Sequence, residues 1–210
     1  MDNSVFSNAE IDANTPLAHY WSKAKTAGLD IALLAPLSVA SVQARKARAN
    51  EMGQAINKYY AIQLPDRPRW SGNGQVEFLG TGPGAWLAVW STNSPQNIDQ
   101  LCSQTRNLAS IADQSSAYRI FTISGAPARA FLARGLAVKI SEPEFKTSSV
   151  IVSAIAHIGV ILWQTDEKPT FMIAVARSYS ESFCHWISEA INGVIQEDQE
   201  KLKTSGKWRR

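Results

Sequence analysis

Near the C-terminal end of the chain, Tyr179, Phe183, Trp186, Ile187, Ala190, Ile191, Val194 and Ile195 recur at spacings of three and four. That period predicts a helix with one buried face. Upstream of it, residues 148–155, 159–163 and 171–176 are three runs rich in β-branched side chains, and they predict strands. The polar, proline-bearing QTDEKPT between the last two suits a hairpin connection. Residues 118–124 alternate as a further strand, and residues 127–134 predict a short helix that Gly135 ends in a left-handed cap.

The first half of the chain has a similar rhythm. Thr15 and Pro16 predict a cap and first-turn proline for a short helix through Ala18, Tyr20, Trp21 and Ala24, which Gly28 stops. Residues 29–42 predict extended chain bent at Pro36, and residues 44–60 a helix with Ala47, Met52, Ala55, Ile56 and Tyr59 on its apolar side. A proline-rich loop spans 64–74. Two short strands, 75–79 and 86–91, are joined by GTGPG, and a helix over 95–108 and a short segment at 110–113 close this half. Strand-helix-strand-strand-helix, twice over, implies an α+β fold with antiparallel sheets covered by helices. Sequence identity between the halves is negligible, so the duplication is one of architecture. The expected organisation is a flexible segment 1–15, a single domain 16–200 with halves of about 16–113 and 114–200, and a basic tail 201–210.

Composition narrows the class. At 210 residues the chain is long enough for a sizeable core. Apolar residues make 45% and charged residues 19%, and tryptophan is conspicuous at 7 copies. The net charge of +3 is unevenly placed, because KLKTSGKWRR holds five cations and no acid, which leaves the first 200 residues at −2. A faintly acidic body argues against a broad phosphate-binding face. The apolar stretch 150–163 is interrupted by Ser153 and His157 and is too short for a spanning helix, which needs about 20 apolar residues. Residues 1–15 lack the positive start and apolar run of a secretory signal, so a cytoplasmic location is expected.

Few residues carry chemistry. Cys102 and Cys184 stand far apart with no C-x-x-C, which excludes a disulfide framework and leaves two thiols expected to be buried. In GTGPG a phosphate loop would need successive backbone N–H groups ahead of a helix. Pro83 removes one of them and a strand follows, so a hairpin turn is expected. His19, His157 and His185 lack the neighbours that a catalytic base requires, and each is expected to be half-buried against aromatics. Asp166 and Glu167, adjacent in a turn, diverge and are expected to be solvated. The tail, with Trp208, Arg209 and Arg210, suits a clamp on an acidic partner, a soluble terminus, or, least of the three, a nucleic-acid contact.

Four segments together resemble the gamma subunit of heterotetrameric sarcosine oxidase: LGTGPGAWL (79–87), ISGAPARAFLARG (123–135), VILWQTDEKPTF (160–171) and RSYSESFCHWI (177–187). The first two are shared with folate-binding aminomethyltransferase-type domains, and the last two are the more specific. Residues 136–142, LAVKISE, depart from the Cys-Pro-hydrophobic-Asp-Leu-His-Pro pattern usual in the family, and Pro127 is displaced by one. A related four-subunit N-methyl amino acid dehydrogenase is therefore equally consistent.

The resemblance implies a non-catalytic subunit with no cofactor or metal of its own. The complex would oxidise sarcosine at a flavin, pass the one-carbon unit to tetrahydrofolate and form hydrogen peroxide. Alpha would hold NAD and the folate site, beta FAD and covalent FMN, and delta zinc. The partners are alpha, beta and delta, with neither nucleic acid nor membrane. Trp70 and Trp208, with Arg209 and Arg210, are the expected interface residues. The alternatives are a free-standing folate-dependent aminomethyl carrier and a basic-tailed RNA-associated protein.

Overall fold

The computed structural model describes residues 10–12 and 14–206, with side chains through residue 197. Two five-stranded antiparallel sheets lie face to face between layers of helix. The strands at their centre read as continuous apolar runs because both of their faces are covered. In β5 (Ala85–Trp90), Trp86, Ala88 and Trp90 face the helices, while Leu87 and Val89 face the opposite sheet. β9 (Ile158–Asp166) and β10 (Thr170–Ala176) behave alike, with Trp163 and Met172 turned inward between the sheets.

One sheet has the order β3-β4-β5-β2-β6 and the other β8-β9-β10-β7-β1. The first is built from β2 (Val39–Ala44), α1 (Ala49–Tyr60), β3 (Trp70–Gly72), β4 (Val76–Gly82), β5 and α2 (Pro95–Gln104). The second repeats that sequence with β7 (Tyr118–Ser124), α3 (Ala128–Ala133), β8 (Val150–Ile155), β9, β10 and α4 (Ser180–Gly206). The second half thus carries the four strands expected at 118–124, 148–155, 159–163 and 171–176, and the first half one strand more than expected. The strand missed in the first half is β3, because a glycine-bounded triplet beside prolines gives no periodic signal.

Each sheet takes its fifth strand from the segment that precedes the other half. β1 (Asp30–Leu33) pairs with β7 through Asp30↔Ser124 and Leu33↔Phe121. β6 (Ala109–Asp113) pairs with β2 through Ala40↔Asp113 and Ala44↔Ala109. The chain therefore crosses between the sheets twice, over 34–38 and 114–117.

Local boundaries follow from chemistry. Thr15 caps a 3-10 turn, Pro16–Trp21, and a second turn, Ala24–Ala27, ends at Gly28 with φ +70°. The expected first helix is this pair of turns, packed on α4. α1 begins at Ala49 rather than 44, because residue 44 completes β2 and Ala47 has positive φ. Met52 and Ile56 are buried on its apolar side, but Tyr59 is exposed. In α4, Phe183, Cys184, Ile187, Ala190 and Ile191 are buried, whereas Tyr179 lies before the helix in a 3-10 turn and is exposed. Gly135 is not left-handed: Trp186 packs so closely that a Cβ there would meet its ring at 2.7 Å. Of the segment 1–15, Ile11 bridges to Leu34 and the Asp12 N–H donates to the Leu33 carbonyl.

Candidate functional site

Three of the segments singled out above converge on one junction. α3 carries Arg129, whose guanidinium lies over the Phe171 ring, 5.3 Å from its centre. Its Nη1 donates to the carbonyls of Ile140 and Phe145. Its Nη2 donates to Gln164 Oε1 at 3.1 Å and to Glu142 Oε1 at 3.2 Å. A planar fork with several acceptors suits arginine and no other residue. Here it holds the irregular segment 136–149 against the sheet.

Gln164 is buried and ends the apolar run of β9. Its amide donates to the Asp166 carbonyl, and its own carbonyl accepts from Ser148 N and from Trp70 Nε1, the latter at 2.8 Å. Trp70 is accordingly half-buried against the core between the sheets and stitches β3 of one half to the entry of β8 in the other. Deeper in the same core, Trp163 Nε1 donates to the fully buried Glu77 at 3.2 Å.

The glycine-rich segment is a hairpin turn between β4 and β5. Gly80 N donates to the Arg69 carbonyl, and a Cβ on Gly80 would lie 2.3 Å from the Arg67 oxygen. Trp86 Nε1 donates to the Pro65 carbonyl at 2.8 Å. The proline-rich loop is thus strapped over the hairpin, and the Gly80 N–H is not available to an anion.

The histidines are exposed rather than half-buried. His157 occupies a positive-φ position in the β8–β9 turn. His185 Nε2 meets the Tyr20 hydroxyl at 3.0 Å, and that hydroxyl also donates to Glu181. His19 Nδ1 meets the Pro16 carbonyl at 2.6 Å. The Tyr20 contacts with His185 and Glu181 pin the first 3-10 turn to α4, while the His19 contact lies within the turn itself. Cys184 is buried as expected, but Cys102 is exposed, on the outer side of α2. Asp166 is not simply solvated, since its Oδ1 accepts from the N–H groups of Lys168 and Thr170 and shapes the hairpin. Trp208, Arg209 and Arg210 lie outside the described residues.

Among the described residues no three His, Cys, Asp or Glu side chains gather as a metal set, and no helix is long and apolar enough to cross a membrane. Arg129 and Gln164 had no role assigned from sequence. Their signal was a polar residue embedded in an apolar segment, a position that requires hydrogen-bond partners.

No family model matches the chain. A curated relative, sarcosine oxidase subunit gamma of Corynebacterium sp. (strain P-1), is 24% identical over 127 residues, which span 59% of this chain and 62% of the relative. This chain resembles the sarcosine oxidase gamma subunit. A chain of the heterotetrameric sarcosine oxidase from Corynebacterium sp. U-96 shares the fold with TM-score 0.72 and 19% identity, over 86% of this chain and 95% of that one. The glycine cleavage system aminomethyltransferase T from Bartonella henselae shares it with TM-score 0.56 and 12% identity. That match covers 76% of this chain and 45% of the aminomethyltransferase, so the shared fold makes up less than half of that chain.

Proposed function

We propose that this chain is the non-catalytic, structural gamma-type subunit of a heterotetrameric flavin-dependent sarcosine oxidase. The sequence likeness to a curated gamma subunit carries this reading. What the motif residues do within the chain supports it, because Arg129, Gln164 and Trp86 spend their polar groups on backbone and side chains of the same fold. The complex would oxidatively demethylate sarcosine to glycine, transfer the one-carbon unit to tetrahydrofolate and release hydrogen peroxide. FAD, covalent FMN, NAD, zinc and folate would sit on the alpha, beta and delta chains. Docking would use the basic tail with Trp208, Arg209 and Arg210 and the exposed edge of Trp70, since tryptophan and arginine dominate interface energetics.

The test is co-expression with the candidate alpha, beta and delta chains and purification through a tag on this chain. A four-chain flavoprotein in equal proportions is expected, and deletion of residues 201–210 should lower its yield. Recovery of free monomer alone would overturn the reading. Micromolar tetrahydrofolate binding to the isolated chain, measured by calorimetry, would replace it with a free-standing aminomethyl carrier.

A further inference from the structure

Each sheet ends in two edge strands, and at three of these four edges another stretch of chain bonds to the strand or its approach. β3 and β8 close on each other, with the Trp70 N–H donating to the Ser148 carbonyl and the Val150 N–H to the Pro68 carbonyl. The far end of β8 is met by Ala137, whose N–H donates to the Ala154 carbonyl. At β1, the Asp12 N–H donates to the Leu33 carbonyl. Such cover matters because unpaired N–H and C=O groups along an edge template further strand pairing.

β6 has no such cover. The Gln114 N–H donates to the Val39 carbonyl at 2.7 Å and the Arg45 N–H to the Leu108 carbonyl at 2.8 Å, which fixes the alternation of the ladder. Residues 108, 110, 112 and 114 turn their backbone groups to β2, so those of Ala109, Ile111 and Asp113 face outward. Among the described residues no segment pairs with that side. The strand reads ASIAD, with no lysine, proline or bulge to blunt it.

The two ends of this edge differ in charge. At the Ala109 end, which pairs with Ala44, stand Arg45 and Lys46 after β2 and Arg106 before β6. All three are exposed, and among the described residues none is in an ion pair. Glu51, in the first turn of α1, is taken by Arg48 at 2.6 Å, and Asp99 lies further back on α2. Asp113, at the other end, accepts from the Ser115 hydroxyl at 2.6 Å and its N–H at 2.8 Å.

We infer that the outer edge of β6 is a β-augmentation site for an extended acidic segment of a partner protein. The outward groups of Ala109, Ile111 and Asp113 supply main-chain bonds to the guest strand. The cations at the Ala109 end select its carboxylates. In the antiparallel sense of the rest of the sheet, those carboxylates stand at the C-terminal end of the guest. The site stands whether or not the chain is a gamma-type subunit.

The experiment is an NMR titration of the full chain with a capped Thr-Val-Thr-Val-Glu-Glu peptide, read as amide shifts and hydrogen exchange. Saturable binding should slow exchange at Ala109, Ile111 and Asp113, while Ser110 and Ala112, already bonded to β2, keep theirs. Combined Arg45→Glu, Lys46→Glu and Arg106→Glu should weaken binding about tenfold, and Lys139→Glu, an exposed lysine of the other half, should leave it unchanged. Ile111→Pro deletes the central outward N–H and should abolish binding; if that variant does not fold, the charge variant still decides. Absence of binding, protection that ignores the alternation, or equal affinity for a peptide ending in Lys-Lys overturns the proposal. Protection of the same amides without peptide, with dimers in sedimentation, would assign the edge to a second copy of this chain and overturn it too.

Discussion

Single residues show how much depends on contacts distant in sequence. Gly135 looked like a helix cap, yet what requires glycine there is the ring of Trp186, which a Cβ would meet at 2.7 Å. Gly135→Ala should destabilise the fold by about 1–3 kcal/mol, measured by urea denaturation. Full stability in that variant would show that the ring moves aside freely. The two thiols differ for a similar reason. Burial, and then the charge of Glu181, pushes the Cys184 thiol from its ordinary 9.0 up to about 12, and Tyr60 is pushed up to about 12 by burial and Cys102. Above about pH 9 the unfolded chain releases the Cys184 proton that the folded chain still holds. Stability is therefore whole below that pH and falls as pH rises toward 12, and Cys184→Ala should flatten the start of that decline in thermal melts. Under native conditions at pH 8, iodoacetamide followed by mass mapping should label exposed Cys102 and spare Cys184.

At the scale of elements, the middle of the irregular stretch 136–149 is held by one side chain of a neighbouring helix, while its ends bond to β8, β9 and the segment before β3. Arg129 gives it two carbonyl partners and Glu142, and is itself seated on Phe171. Arg129→Lys keeps the charge but loses the fork. It should cost about 2–3 kcal/mol and raise hydrogen exchange over residues 140–146, while exchange in β4 and β5 is unchanged. A uniform rise across both sheets would indicate a global loss rather than release of this segment. α4, β7 and the β9–β10 hairpin were legible from periodicity and turn residues, because each buries a regular face or closes on polar turn chemistry. β3 and the late start of α1 were not, since close packing of Gly80 against Arg67 and the positive φ of Ala47 define them.

For the whole molecule, the exchange of edge strands makes the two halves depend on each other. A fragment of residues 114–210 lacks β1, whose Leu29, Ile31 and Leu33 surroundings supply part of the core under α4. A fragment of residues 1–113 leaves β1 without β7. Neither fragment should show a cooperative thermal transition by circular dichroism, whereas an equimolar mixture should regain one. Independent two-state melting of both fragments would contradict the interlocked architecture. The same crossings bring Leu34 and Leu37 beside Ser115 and Tyr118 around one cleft, a meeting that no spacing rule would connect.

The sequence by itself determined the α+β class, most strands and helices, the hairpin nature of GTGPG and the likeness to an oxidase gamma subunit, because these rest on local periodicity, turn chemistry and short motifs. Only the tertiary structure decided which strand belongs to which sheet, and why Gly135 and Arg129 stand where they do. Strand exchange and close packing are relations between segments distant along the chain, and local pattern carries no record of them.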